Sequence, residues 1–232
     1  MKLKTLTPKQ SLNKAFLKQP VNRDEITLFK ANLQTLLSKI NENESEEHHK
    51  NFVRDFLKDT FYKSEYEINT KGRQDLVIHI GKDASDNVGV IIETKKPTNK
   101  ADMISADNPN KKALHELVLY FLRERIDENN IDVKYLIVTN INEWFIFDSS
   151  VFNRLFFENK SFVKDYKEWR DKQKITGNTP LFYNEIVKPL IDSINEETPC
   201  TYFDIRDYET ALKNVQGASS IIESTKGLTI SL

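Results

Sequence analysis

Apolar residues recur at helical spacing in two segments near the start of the chain. From Asp24, a favourable N-cap residue, they continue every three or four positions to Ile40, which predicts an amphipathic helix. The polar run NENESEE interrupts this pattern. A second helix, ending near Tyr62, is predicted from four apolar residues that share one face, namely Phe52, Val53, Phe56 and Leu57.

After Tyr62 the period changes to that of β-strands. Residues 64–68 are short and strand-like, and residues 75–80 are rich in β-branched side chains. Residues 81–87 carry turn residues, and residues 88–93 form a second apolar run. The pattern therefore predicts a β-hairpin.

The next apolar pattern is again helical and covers residues 114–126, and two strands are predicted at residues 133–139 and 143–147 around the turn Asn140-Ile-Asn. The predicted order is thus a helix, three strands, a helix and two strands. We expect an α/β (α+β) fold with one mixed central sheet flanked by helices.

The flanking segments complete a four-part division of the chain. Residues 1–42 are expected to form an amino-terminal arm and a helix that packs on the core, and residues 43–150 the core itself. Residues 151–216 are expected to be a helical extension of the same domain, and residues 217–232 a weakly structured tail. Within the arm, we expect an extended chain with one short helix around residues 11–18.

Composition places the chain among ordinary globular proteins. Of its 232 residues 38% are hydrophobic and 30% are charged, and no apolar run approaches the roughly 18 residues that cross a bilayer. The start, MKLKTLTPKQ, lacks the apolar stretch of a secretory signal. The single cysteine, Cys200, excludes an internal disulfide and a cysteine-based zinc site. We expect a cytoplasmic protein that does not enter a membrane.

The net charge of −1 lacks the basic excess of many nucleic-acid-binding proteins. A protein that holds divalent metal ions through carboxylates can nevertheless hide a local basic strip within a neutral total. Net charge therefore does not indicate the function, and the positions of particular charged residues along the chain must be considered.

Asp75, Glu93 and Lys95 form the pattern with the most definite chemistry. Asp75 opens one predicted strand of the hairpin, and Glu93 and Lys95 end the other. Because residues two apart in a strand point to the same side, the spacing E-x-K places a carboxylate and an ammonium group together. Two carboxylates can bind Mg²⁺, which polarises a phosphate and lowers the pKa of a water, and a lysine can orient that water or offset the charge on phosphorus.

E-x-K alone is also a common exposed ion pair of little energetic value. Here the pair follows the apolar run Val88-Gly-Val-Ile-Ile, and Asp75 precedes another such run. Charged residues at the mouth of a buried strand favour a functional role.

The strings Gln74-Asp75-Leu-Val-Ile and Val90-Ile-Ile-Glu93-Thr-Lys95-Lys-Pro97 resemble the D-x(n)-E-x-K signature of the PD-(D/E)XK nuclease superfamily. The segment ESEEHHKNFVRDFL from Glu44 resembles, more narrowly, the amino-terminal nuclease domain of type IIG and type I-like single-chain restriction-modification enzymes. The likeness covers roughly residues 5–210. It implies a restriction-endonuclease-like core of order αβββαβ at residues 43–150.

The resemblance also implies a metal site for Mg²⁺, with Mn²⁺ as a substitute. Asp75, Glu93 and the Thr94 carbonyl would bind the ion together with an acidic residue from the first helix. Helix geometry favours Glu46, which lies within the apolar arc, over Glu47, which points further out; both could instead be ordinary charges near a helix N-terminus.

Other residues would support the site. Gln74 and Tyr120 are possible supporting residues; relatives often carry a glutamine four residues before the tyrosine, where this chain has Glu116, and we assign Glu116 no role. Possible DNA contacts, with a solvated loop as the alternative, are Lys96, Lys100, Lys111 and Lys112.

The implied activity is metal-dependent hydrolysis of DNA by an endonuclease module of a restriction-modification system. A separate methyltransferase or specificity subunit would be a partner, since we expect no methyltransferase in this chain, which could be a truncated form of a longer enzyme. Double-strand cleavage would require two copies, so a transient homodimer is plausible. The alternatives are a catalytically inactive DNA-binding or assembly module with the nuclease fold, and a nuclease that acts on RNA or branched DNA.

Overall fold

The sheet of the computed structural model contains seven strands within the described residues, which are 1–20, 22–72, 75–172 and 178–208. They are β1 (Lys2–Leu6), β2 (Ile68–Asn69), β3 (Leu76–His79), β4 (Val88–Thr94), β5 (Tyr135–Thr139), β6 (Glu143–Asp148) and β7 (Glu197–Asp204). Their order in space is β1-β7-β6-β5-β4-β3-β2. Only β1/β7 and β4/β5 pair in parallel, so the open sheet is mostly antiparallel.

Helices cover both faces of this sheet. The α-helices are α1 (Pro8–Ser11), α2 (Arg23–Ser38), α3 (Glu46–Leu57), α4 (Lys112–Leu122), α5 (Ser149–Phe152), α6 (Lys160–Arg170), α7 (Thr179–Leu181) and α8 (Lys188–Ser193). Four π-helical turns, at Lys58–Tyr62, Arg123–Asp127, Asn153–Phe157 and Phe182–Val187, and 3-10 turns at Phe16–Lys18 and Ile205–Tyr208 complete the described elements. The mixed α/β class expected from the pattern is confirmed.

Two apolar clusters lie on the two faces of the sheet. Helices α2 and α3 pack on one face through residues such as Phe29 and Phe56. Helix α4 and the later helices pack on the other face, where Phe121 and Phe156 are fully buried. All seven residues of β4 are buried because this strand is covered on both faces, which explains its continuous apolar run.

The three longer predicted helices and the hairpin agree with the structure, apart from one helix cap. Helix α2 is capped by Asn22, whose side chain accepts a hydrogen bond from the backbone N–H of Asp24, so the prediction of Asp24 as N-cap was wrong. The side chain of Glu25 accepts in return from the N–H of Asn22, which completes a capping box. Strands β3 and β4 form the predicted antiparallel hairpin.

The single short helix expected around residues 11–18 was wrong, because α1 (Pro8–Ser11) and the 3-10 turn at Phe16–Lys18 lie at the two ends of that segment. Of the strand-like residues 64–68, only Ile68 belongs to a strand, β2.

The outer strands β1 and β7 were not predicted. The expected arm supplies β1, whose only buried residue is Leu3, and the expected helical extension supplies β7. Pro199 argues against a central strand because it has no N–H to donate. It is accommodated because β7 pairs with β6 only from Thr201 onward, whereas Pro199 is aligned with Lys4 of β1.

The predicted tail at residues 217–232 lies outside the described residues, as does Gln74. Among the helices that the structure does describe, none has both the length and the apolar character needed to cross a membrane.

Candidate active site

The hairpin of β3 and β4 places Asp75 and Glu93 at the same end of two neighbouring strands. Leu76 is paired with Ile92, and Asp75, which immediately precedes β3, accepts two hydrogen bonds from Thr94, the residue after Glu93. Lys95 follows on the side of the sheet to which Glu93 points. The structure thus brings the three predicted residues together.

The ammonium group of Lys95 lies among three carboxylates. Its Nζ donates to Oε1 of Glu93 at 2.5 Å, to Oε2 of Glu116 at 2.8 Å and to Oε1 of Glu46 at 3.2 Å. The side chain is only 3% exposed. Its backbone N–H donates to the carbonyl of Thr139 at 2.8 Å, which fixes Lys95 to the end of β5.

Asp75 is held by Thr94 and approached by a second lysine. Its Oδ2 accepts from the backbone N–H of Thr94 at 3.0 Å and from the Thr94 hydroxyl at 2.9 Å. Its Oδ1 lies 3.8 Å from Nζ of Lys50, which is 10% exposed and is also paired with Glu47 at 2.5 Å. Thr94 therefore positions Asp75, and a role for its carbonyl in metal binding stays a prediction.

Helix α3 directs Glu46, and not Glu47, toward Lys95. The Ser45 hydroxyl caps the helix by accepting from the N–H of His48. Glu46 lies in the first turn, and its Oε2 is 3.4 Å from the backbone nitrogen of Lys96. The Glu47 side chain is 66% exposed and contacts Lys50.

Burial and crowding of charge alter the proton affinities at the site. Burial, reinforced by the negative charge of Asp75, raises the pKa of Glu93 well above its ordinary value, although Lys95 opposes the shift. Burial alone would lower the pKa of Lys95, but Glu93 and Glu116 outweigh it, and the net shift is upward. Burial and the carboxylates of Glu93 and Glu116 likewise raise the pKa of Tyr120. Lys95 is therefore a permanent cation at neutral pH.

An unpartnered carboxylate oxygen and an excess of negative charge favour the binding of a cation at the site. Oε2 of Glu93 is buried and has no hydrogen-bond partner among the described residues. When all groups are ionised, five carboxylates around the site face three ammonium groups, which leaves two negative charges. These groups are Asp75, Glu93, Glu46, Glu47 and Glu116, with Lys50, Lys95 and Lys112. Carboxylate oxygens are the ligands that Mg²⁺ prefers.

Among the described residues, Asp75 and Glu93 are carboxylates that could hold such an ion, and the predicted role of Glu46 as a further ligand stays a prediction. Within the described ranges, no group of three or more His, Cys, Asp or Glu side chains forms a set that could hold a metal ion. Glu46 and Glu116 are instead bonded to Lys95.

Two residues of the site were not predicted: Lys50 was not singled out, and Glu116 was assigned no role. Glu116 lies on α4 one turn before Tyr120, and this spacing was a usable indication that both face the site. Lys50 follows Glu46 by four residues on α3, which places it on the same helix face. The available indication for Lys50 was that a charged residue lies on the apolar face of an amphipathic helix.

The predicted DNA-contacting lysines surround the loop that follows β4. Lys96 and Lys111 are half-buried, and Lys100 and Lys112 are exposed. Nζ of Lys112 lies 3.6 Å from Oε1 of Glu116, one helical turn further along α4. Of the four, Lys112 therefore has a described ion pair with a residue of the site.

A strained turn lies next to Lys95. Ile141, between β5 and β6, has a φ of 76° and is buried, although a β-branched residue rarely adopts this conformation. Its N–H donates to Oγ1 of Thr139 at 3.0 Å, and its carbonyl accepts from the indole of Trp144 at 2.8 Å. The first of these bonds orients Thr139, whose carbonyl accepts the hydrogen bond from the backbone N–H of Lys95.

Comparison with known proteins gives one match. Residues 6–225 match a family described as a domain of unknown function, DUF7149. No curated protein and no solved structure matches the chain. The matched residues include every residue of the site and both apolar clusters, apart from Leu3 in the cluster on the α4 face of the sheet.

Proposed function

Because the chain belongs to the DUF7149 family, whose description states no activity, we propose from its site that it is a Mg²⁺-dependent DNA endonuclease of the PD-(D/E)XK kind. One observation carries the proposal. Asp75 is hydrogen-bonded to Thr94 at the end of β4, next to Glu93, and the buried Lys95 donates to Glu93.

The order of elements around the site supports this proposal. Helix α3, strands β2 to β4, helix α4 and strand β5 follow one another as in the restriction-endonuclease-like core αβββαβ. Strands β4 and β5 are parallel and are joined through α4, and α3 and α4 bring Glu46 and Glu116 to Lys95.

In this proposal Asp75 and Glu93 hold the metal ion. When bound, Mg²⁺ polarises the scissile phosphate and lowers the pKa of a coordinated water. Thr94 keeps Asp75 oriented through two hydrogen bonds. Because the pKa of Lys95 is raised, its side chain stabilises negative charge on the phosphate and does not accept a proton.

Plasmid nicking in Mg²⁺ or Mn²⁺ tests the proposal directly. We expect Lys95→Ala to lower the nicking rate by about 10²–10³-fold, as for loss of one preorganised charge-stabilising donor. Asp75→Asn should be inactive in both metals. Lys134→Ala, which removes an exposed lysine just before β5, is the matched control and should retain wild-type activity. Equal nicking by the wild type and Lys95→Ala would assign the activity to another site or protein.

A non-catalytic module with the same fold is the second candidate. The observation in its favour is that Lys95 already bonds three carboxylates, so a purely structural ion cluster would show the same contacts. Calorimetric titration with Mn²⁺ separates the two candidates, since a structural cluster binds no ion. As part of a restriction-modification system, the chain would act with a separate methyltransferase or specificity subunit.

A further inference from the structure

A cleft beside α4 adjoins the Lys95 cluster. Its volume is about 330 Å³, and α4, the turn that follows it and the start of the α7 segment form its walls. Six of its lining residues matter here, namely Lys112, Glu116, Tyr120, Arg123, Thr179 and Tyr183. Glu116 also bonds Lys95, so the cleft is continuous with the candidate active site.

The lining residues of α4 form a single stripe. Lys112, Glu116, Tyr120 and Arg123 are three or four positions apart, which places them on one helix face. At a rise of about 1.5 Å per residue, the stripe from Lys112 to Arg123 is about 16 Å long. It carries a cation at each end and a carboxylate that is already paired with Lys95 and Lys112.

Arg123 is the residue in this cleft that most needs a ligand. It is half-buried, and its guanidinium group has neither an ion pair nor a side-chain hydrogen bond with any described residue. Removing a charged group from water is unfavourable unless a partner compensates. A planar guanidinium group with free donors is well suited to binding phosphate oxygens.

We propose that the cleft binds a single strand of nucleic acid, with phosphates contacting Arg123 and Lys112, and guides it to the Lys95 cluster. The inference rests on the proposed nuclease function and narrows its substrate class. A volume of about 330 Å³ is near the lower limit of small-molecule pockets, so it accommodates one nucleotide at a time. A base-paired duplex could touch only the rim of the cleft, whereas an unpaired end or branch could enter it.

Binding without metal tests the proposal independently of cleavage. Fluorescence anisotropy in EDTA would compare a labelled single-stranded DNA with a blunt duplex of the same sequence, over a series of salt concentrations. We expect the single strand to bind at least tenfold more tightly. Arg123→Gln and Lys112→Gln should each weaken its binding about tenfold, and each should lower the slope of log K against log salt by about 0.7.

Arg23→Gln, which removes an exposed arginine of α2, is the matched control and should bind as the wild type does. Thermal melting of each variant separates loss of binding from loss of folding. An RNA strand of the same sequence shows which sugar the cleft accepts, and Arg123-dependent binding of either one supports the proposal.

Duplex binding as tight as single-strand binding, or an unchanged salt slope in a folded Arg123→Gln variant, would overturn the proposal. The failure of the proposed function is distinguishable. Arg123-dependent binding without any cleavage in Mg²⁺ or Mn²⁺ would reject the nuclease function and support strand binding in the cleft. Cleavage that is insensitive to substitution of Arg123 and Lys112 would support the nuclease function and reject strand binding in the cleft.

Discussion

Among the described residues, the buried carboxylates of Glu124 and Glu93 lie in clusters of charge that are built differently. Around Glu124, which is 1% exposed, Lys71 donates to both carboxylate oxygens at 2.8 and 3.1 Å, and Asn130 donates to one of them at 3.0 Å. Around Glu93, which is equally buried, one oxygen accepts from Lys95 and the other has no described partner.

The difference is between a buried carboxylate with a partner for each oxygen and one with a partner for a single oxygen. A buried carboxylate is stable when each oxygen has a partner, as in the Glu124 cluster. The Glu93 cluster retains an excess of negative charge, and the pKa of Glu93 is raised. The residues of this cluster therefore stabilise the fold less than a fully compensated cluster would. Groups that are poorly compensated in this way are typical of functional sites.

The largest expected difference between the two clusters is in the free energy of unfolding of matched glutamine variants. We expect Glu124→Gln to lower the free energy of unfolding by about 3 kcal/mol, because Lys71 loses its only described ion-pair partner and a buried network is broken. Glu93→Gln should leave that free energy unchanged or raise it, because it removes repulsion from Asp75. Urea denaturation measures both. Equal destabilisation by the two variants would remove the distinction between the clusters.

Added metal should stabilise the protein through only one of the clusters. At 100 times its dissociation constant, an ion that binds only the folded state adds about 2.7 kcal/mol, or roughly 5–10 °C in Tm for a chain of this length. We expect this rise with Mn²⁺ in the wild type and, above a lower starting Tm, in Glu124→Gln, but not in Glu93→Gln. A rise of the same size in Glu93→Gln would place the ion elsewhere.

The dependence of stability on pH should show the smallest effect. Because the pKa of Glu93 is raised, the folded state binds a proton that the unfolded state has already lost above about pH 4.5. The contribution of Glu93 to the free energy of unfolding therefore falls as the pH rises from about 4.5 through the pKa of Glu93 in the folded state. The fall is at most about 1.4 kcal/mol per pH unit.

Thermal melting of the wild type and Glu93→Gln across this interval isolates the effect, since the variant lacks the titrating group. Stabilisation by Mn²⁺ should grow over the same interval, because the ion binds the ionised carboxylate. Parallel stability curves for the two proteins would contradict the assignment of a raised pKa to Glu93.

Local patterning predicted the part of the site that depends on neighbouring strands. The apolar runs on either side of residues 81–87 predicted the β3/β4 hairpin, and the spacing of Glu93 and Lys95 placed both on one face. Both relations follow from the period of a strand. They are therefore available without knowledge of the remaining fold.

Residues on helices and outer strands were harder to place. The contact of Glu116 with Lys95 depends on how α4 is rotated against the sheet, and the position of Lys50 depends on how α3 is rotated. Strand β1 has a single buried residue, and β7 contains Pro199, so neither has a clear strand pattern. The left-handed conformation of the turn falls on Ile141 although asparagine stands on either side, and residue preference alone would favour an asparagine.

The position of β7 between β1 and β6 has a consequence for the order in which the protein can assemble. Among the strands that the structure describes, β1 pairs with β7 alone, and the residues of β7 lie almost two hundred positions later in the chain. Strand β1 can therefore be added to the sheet only after β7 has been synthesised. The hairpin of β3 and β4 can form earlier during synthesis, whereas closure of this edge must wait until β7 is available.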